Sequence, residues 1–319
     1  MGKKRSVFKV FLKALGTAVL GTIAIVGIWA YAPDITVEEL KKEYANSPSS
    51  FIEVQGMEVH YRMEGKGTPL VLLHGTGASL HTWDAWTEIL GKELAIIRLD
   101  LPAFGLTGPH PQANYDLQTY VAFVDEFMRS IGIDKFALAG NSLGGAIAWN
   151  YAATYPNKVS ELILVDPSGL PSAEPSPAVF KIAQNPIGGP LLKLFTPRAF
   201  IEKNLKEVYH DDSKIKEEVV DRYWRMARRT GNRQAFIDRT YAVDSSDPNL
   251  LEKIQCRTLI LWGNEDIWTD PVNAPVFEDR IPNAQLIMYE NVGHIPMEEI
   301  PSRSAADVLK FLFDEPSTN

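Results

Sequence analysis

The chain is predicted to be an α/β protein. A mostly parallel sheet carries helices on both faces, a helical insertion forms a cap, and a transmembrane helix precedes the whole. Three observations predict this. Short unbroken apolar runs alternate with helical patterns through residues 50–319. One long stretch, residues 170–251, breaks the alternation with helical text only. Near the start, residues 14–32 run nineteen positions without a charge.

Residues 1–33 read as a membrane anchor. "MGKKRSVFKVFLK" supplies Lys3, Lys4, Arg5, Lys9 and Lys13, a flank that stays in the cytoplasm under the positive-inside rule. The apolar run that follows approaches the roughly 30 Å hydrocarbon core at about 1.5 Å per residue. Trp29 and Tyr31 fall where an interfacial aromatic belt lies. The expectation is a single anchoring helix with the remainder outside the cytoplasm, periplasmic in a bacterium. The rival is a cleaved signal, because Ala30-Tyr31-Ala32 has the small-x-small form, although Pro33 would impede the cut. Residues 34–49 read as a connector. "DITVEELKKEYA" has Thr36 as cap and Glu38 and Glu39 in its first turn, where the helix dipole favours them.

The body, residues 50–169 and 252–319, opens with "FIEVQG" and "MEVHYRMEG", an antiparallel pair turning at Gln55-Gly56. "PLVLLHG", "LAIIRLDLP", "KFALAG", "ELILVDPSG", "TLILWGNED" and "AQLIMYENVGH" are strands, most of them apolar on both sides as buried parallel strands are. "DLQTYVAFVDEFMRSIGI" is helical, with Leu117, Tyr120, Val121, Val124 and Met128 on one face. "LGGAIAWNYAATYP" is a helix stopped at Pro156, and "SRSAADVLKFLF" closes the chain as another. The insertion carries "AVFKIAQ", "PLLKLF", "RAFIEKNLKEVY", "VVDRYWRMARR" and "RQAFIDRTYAV". Its place over the carboxyl ends of the strands is where open α/β folds bind ligands.

Composition narrows the chemistry. The chain has 319 residues, 45% of them hydrophobic, and a formal net charge of −8. No basic stripe marks the body, so nucleic acid is not an expected partner. Cys256 is the single cysteine, so no internal disulfide can form. No spacing such as HExxH appears, and no metal is expected.

The chemistry sits in "LAGNSLGGAIA". Gly140-Asn141-Ser142-Leu143-Gly144 is a G-x-S-x-G pentad between a strand and a helix. A nucleophilic serine must stand on a sharp bend, and glycines two places either side relieve the crowding. The bland reading is a tight turn whose serine caps the helix. A serine hydroxyl needs a base. Of six histidines, His294 in "ENVGHIP" lies just past the last strand, where it can reach back over the sheet edge. His60 lies mid-strand in the hairpin and is expected at the surface. His74 is expected to brace the Gly75 loop. The base needs an orienting acid. Asp266 ends the strand before His294 and ranks first. Asp166, ending "ILVD", is the alternative, with Glu265 and Asp270 as neighbouring competitors. Oxyanion donors are expected from the amides of Leu143 and, in "HGTGAS", Thr76. Each such donor is worth about 2.7–4 kcal/mol in the transition state.

With "LLHGTGAS", "LDLPAFGLTG", "LAGNSLGGAIA", "LILWGNED" and "NVGHIPMEEIP", the chain resembles the α/β-hydrolase superfamily over most of Ser50 to Phe313. More narrowly it resembles Moraxella-type bacterial lipases and the related carbon–carbon bond hydrolases of ring-cleavage products. The resemblance implies the α/β-hydrolase fold and a cofactor-free Ser142–His294–Asp266 hydrolase. It points to an esterase or lipase acting on a small ester, of short to medium acyl chains or acylglycerols. Carbon–carbon hydrolysis and a non-catalytic ligand-binding fold are the alternatives. The chain departs from its relatives at Ala103, where glycine is usual, and a small loop adjustment is expected there. "HGTGAS" and Ile295 depart from the carbon–carbon hydrolases. Phe180, Leu191, Phe195 and Trp224, with Ile187, Leu194 and Tyr223, are the candidate acyl-pocket lining. The same residues could equally form the insertion's own core.

Overall fold

The structure is a computed structural model that describes residues 11, 13–22, 27–28, 30–171, 176–242 and 246–314. Among these, eight strands form one sheet in the order β1-β2-β4-β3-β5-β6-β7-β8. The strands are β1 (Ser49–Val54), β2 (Met57–Gly65), β3 (Thr68–Leu73), β4 (Leu94–Leu99), β5 (Phe136–Ser142), β6 (Val159–Pro167), β7 (Arg257–Gly263) and β8 (Ala284–Tyr289). β2 runs antiparallel to β1 and β4, and every other pair is parallel. In register, Leu72 meets Ala139, Ala139 meets Ile163, and Ile163 meets Leu259.

The unbroken apolar runs follow from this layering, because side chains alternate between two buried faces. Val71, Leu73, Leu138, Leu162 and Leu164 face one core, shared with Tyr120 and Phe127 of α3 (Leu117–Ser130), Trp149 of α4 (Leu143–Thr154) and Phe277 of α10 (Ala274–Arg280). Leu70, Leu72, Ala139, Ile163 and Val165 face the other, with Trp86 of α2 (Asp84–Leu90) and Val308 of α12 (Pro301–Phe313). The strand-to-helix turn at Ser142 leads straight into α4, whose residues 143–153 are all buried, as suits a helix without a polar face.

Between β6 and β7 run α5 (Ala178–Gln184), α6 (Gly188–Leu192), α7 (Arg198–Val208), α8 (Glu217–Ala227) and α9 (Asn232–Thr240). Ahead of the sheet, Thr36 caps α1 (Val37–Tyr44) by accepting the Glu39 amide at 3.2 Å.

Two expectations are corrected. Among the described residues no helix is long and apolar enough to cross a membrane. Residues 1–10, 12, 23–26 and Trp29 lie outside the described residues. At Ala32 the chain is already buried on the insertion, its amide donating to the Leu194 carbonyl at 3.0 Å. The transmembrane helix, the membrane as a partner, and the location drawn from them, anchored or released by cleavage, are therefore withdrawn. His60, expected at the surface, is fully buried between Asp100 and Ser49. The strand β2 is interior, flanked by β1 and β4, so a mid-strand histidine there is covered.

Candidate active site

Ser142 ends β5 with φ 54° and ψ −116°, a strained conformation for a residue with a side chain. The turn is tight enough to exclude side chains around it. A Cβ on Gly140 would lie 2.1 Å from the Gly144 carbonyl oxygen, and one on Gly144 would lie 2.1 Å from that of Leu73. Ser142 makes no capping hydrogen bond to α4, so its hydroxyl is not spent on the helix as the bland reading required. The amides of Leu143 and Gly144 open α4 beside it, at the positive end of the helix dipole.

His294 is buried in the loop after β8, and its Nδ1 lies 2.7 Å from Oδ2 of Asp266. Asp266, in the loop after β7, is fixed by four donors. Oδ1 accepts the amides of Trp268 at 2.7 Å and Thr269 at 3.0 Å, and Oδ2 accepts the Thr269 hydroxyl as well as the imidazole. With Nδ1 donating, Nε2 of His294 is the acceptor. It is buried and has no hydrogen-bond partner among the described residues. Ser142 and His294 line one cavity without a direct hydrogen bond between them.

Asp166, the alternative acid, is not bonded to the imidazole. Its Oδ1 accepts the Gly263 amide at 2.9 Å, while Oδ2 is buried and unpaired. Burial, and then the charge of Asp266, push its carboxyl well above the usual carboxylate range. Glu265 and Asp270 do not bond to His294 either. Asp270 caps the short turn at Pro271. Asp166, Asp266 and His294 converge closely enough to suggest a metal site, but the Nδ1 a metal would need is engaged with Asp266.

Thr76 lines the cavity along with Gly75 and Gly77. The loop is braced as His74 suggested. Its Nδ1 donates to the Gly75 carbonyl at 2.8 Å and its Nε2 accepts the Leu101 amide at 2.9 Å. The acceptor role of Nε2 requires a neutral ring, and burial lowers the His74 pKa accordingly.

The cavity encloses about 150 Å³ beneath the insertion. Its walls are mostly apolar, among them Val179, Leu192, Leu205, Tyr223, Met226 and Phe236. Phe180, Leu191, Phe195 and Trp224 are not among the lining residues. Phe180 packs behind the wall on Phe236 and Trp268, with ring centroids 5.8 Å apart in both cases. Leu191 is exposed, as are Ile187 and Leu194. Phe195 forms a backbone bridge to Tyr31, and Trp224 donates to the Thr196 carbonyl at 2.8 Å. Ala103 takes φ 81°, the left-handed region glycine would occupy without cost, and its amide donates to Gly108 at 2.7 Å.

Several positioning groups escaped the sequence reading. Asn141, the first variable position of the pentad, donates from Nδ2 to the carbonyls of Val165 at 3.1 Å and His294 at 3.0 Å, tying β5 to the histidine loop. Glu299 accepts the Gly293, His210 and Asp211 amides at 2.7, 3.2 and 2.9 Å. Glu298 accepts the hydroxyls of Thr82, Tyr209 and Tyr223. "HIPMEE" follows the histidine directly, and its paired carboxylates were the available signal.

A family model described as the alpha/beta hydrolase fold matches residues 68–301. "Lipase 3" of Moraxella sp. (strain TA144) is 28% identical, over 94% of this chain and 98% of its own length. A 2-hydroxy-6-oxo-6-(2'-aminophenyl)hexa-2,4-dienoic acid hydrolase of Metapseudomonas resinovorans is 25% identical, over 82% of this chain and 90% of its own. The crystal structure of a bacterial membrane phospholipase A superposes with a TM-score of 0.71 at 27% identity, covering 97% of this chain and 98% of that one. With the family model spanning well over half its length, the chain belongs to the α/β-hydrolase family.

Proposed function

We propose that the chain hydrolyses carboxylic esters of short to medium acyl chains through an acyl-enzyme on Ser142. His294 takes the serine proton as Oγ attacks the ester carbonyl. The amides of Leu143 and Thr76 receive the developing oxyanion. His294 then protonates the leaving alcohol and activates water to release the acid. Asp266 holds the ring in the required tautomer and stabilises the imidazolium. The observation that carries the reading is the partnerless Nε2 of His294, in the same cavity as a strained serine, with Nδ1 already on Asp266. The small apolar cavity favours a short acyl group, and the lipase and phospholipase relatives support an ester.

A second reading, carbon–carbon bond hydrolysis of a ring-cleavage product, is supported by the dienoic acid hydrolase relative. Its weight is reduced by Ile295 and the "HGTGAS" loop. A series of p-nitrophenyl esters run beside a ring-cleavage substrate separates the readings. Ser142→Ala should keep the fold and lose at least about 10³-fold in kcat. Parental ester turnover by that variant sinks the assignment. Faster turnover of the ring-cleavage product than of any ester moves it to the second reading. Binding without multiple turnover identifies a non-catalytic fold.

A further inference from the structure

We propose that Asp166 is a positioning residue of this same site: its carboxyl donates a hydrogen bond to the carboxylate of Asp266 and so holds that group on Nδ1 of His294. The inference rests on the triad reading above and adds a fourth side chain to it.

The geometry carries the argument. Asp166 ends β6 and is fully buried. Oxygens of Asp166 and Asp266 and a ring nitrogen of His294 all lie within 4.8 Å of one another. One Asp166 oxygen is accounted for by the Gly263 amide, and the other, Oδ2, has no donor. Two carboxylates this close in a dry site cannot both hold a charge. The donors are distributed unequally. Asp266 receives four and Asp166 one, so the charge settles on Asp266 and the proton on Asp166. The other titratable groups around Asp166 push the same way. Glu299 adds negative charge, and Tyr289 at the end of β8 supplies no cation. His294 already spends its Nδ1 hydrogen on Asp266. The unpaired oxygen of Asp166 is thereby explained, because a protonated Oδ2 is a donor and Asp266 is the acceptor beside it.

The arrangement has a function in catalysis. Asp266 must stay ionised and fixed while His294 cycles between neutral and charged forms. Asp166 anchors it from the β6 side without adding a second negative charge, and its proton stays in place throughout the cycle.

Asp166→Asn and Asp166→Ala test this. Asparagine keeps a donor and tolerates the left-handed φ of 44° at this position. The Asn variant should keep kcat within about threefold and the acid limb of kcat/KM within about 0.3 pH unit, because no charge is lost. The Ala variant should lose about tenfold or more in kcat with KM within about twofold. The low-field proton resonance of His294 Nδ1 gives a readout free of activity: present in the parent and the Asn variant, lost or moved in the Ala variant. An acid limb about one unit lower in Asp166→Asn overturns the proposal, since it means an ionised Asp166 had been supporting the imidazolium. Parental kcat and resonance in Asp166→Ala overturn it too. If Asp166→Ala does not fold, the Asn variant decides alone. If the parent shows no Ser142-dependent ester turnover, the ester reading falls and the resonance still decides the role of Asp166.

Discussion

Asp100 is the opposite case to Asp166, and the contrast shows what the buried acids of this protein do. Both are fully buried. Burial alone would raise the Asp100 carboxyl, but His60 and the backbone amides pull it down to about 2. His60 Nδ1 lies 2.8 Å away, and the amides of Leu80 and Leu106 donate at 2.7 Å each. Asp100 thereby fixes the loops after β3 and β4, which carry Thr76 and Ala103 to the cavity. Its folded-state pKa lies below the unfolded value near 3.9. The stabilisation is therefore fully present above that value and is lost as pH falls through about 2. The shift corresponds to about 2 kcal/mol. Asp100→Asn should be less stable than the parent at neutral pH, and the gap should narrow by about 2 kcal/mol between pH 5 and pH 2. Denaturant unfolding at both pH values measures it. A gap independent of pH would show that Asp100 acts by shape alone.

At the scale of elements, the histidine loop is held by α7 of the insertion as much as by the sheet. The His294 amide donates to the Val208 carbonyl at 2.8 Å. Glu299, in α11 (Pro296–Glu299), gathers the Gly293 amide and the two that follow Tyr209. Removing that carboxylate leaves three amide donors to find water. Glu299→Ala should cost about 3 kcal/mol of stability and lower kcat, because the base loses its fixed seat. Denaturant titration and ester kinetics read the two effects, and a variant within about 0.5 kcal/mol of the parent with unchanged kcat would refute the link. The same element explains which features the sequence made legible. The alternation of strands and helices, the turn at Ser142 and the approach of His294 to Asp266 follow from local pattern and chain order. The cavity wall does not. In α6 the neighbours Leu191 and Leu192 have opposite fates, one exposed and one lining the cavity. A helix of one turn has too few residues for hydrophobic periodicity to set its phase. Tyr223 and Trp224 divide in the same way. Glu298 and Glu299 stand out as paired carboxylates, but what they hold was not legible, since their partners lie more than 70 positions away for every bond that reaches the insertion.

For the molecule as a whole, residues 31–44 act as a strap across the insertion. Tyr31 bridges to Phe195, and Ile35 pairs with Arg229. Arg228 donates to the Pro33 carbonyl at 2.9 Å, and Arg233 donates to the Ala32 carbonyl at 2.7 Å and to Asp34 at 2.6 Å. Arg225 of α8 reaches Glu39 and Glu43 on α1. Arg233 also lines the cavity, so one side chain links strap and site. Leu205, Val208, Tyr209 and Val220 of the insertion join one of the two large sheet cores, while Met226 shares a small cluster with Ile35 and Leu40 of the strap. The opening of the insertion should therefore depend on the strap as well as on that shared core. A chain lacking residues 1–36 should show amide exchange in α7 to α9 faster by about tenfold or more, equivalent to about 1.4 kcal/mol, with the protection of β3 to β7 unchanged. KM for a p-nitrophenyl ester should rise with it, since the wall formed by Tyr223, Met226 and Phe236 is no longer held over Ser142. Equal exchange in the two chains would mean that the insertion is seated by its shared core and the Glu298–Glu299 contacts, and that the strap has no part in closing the site.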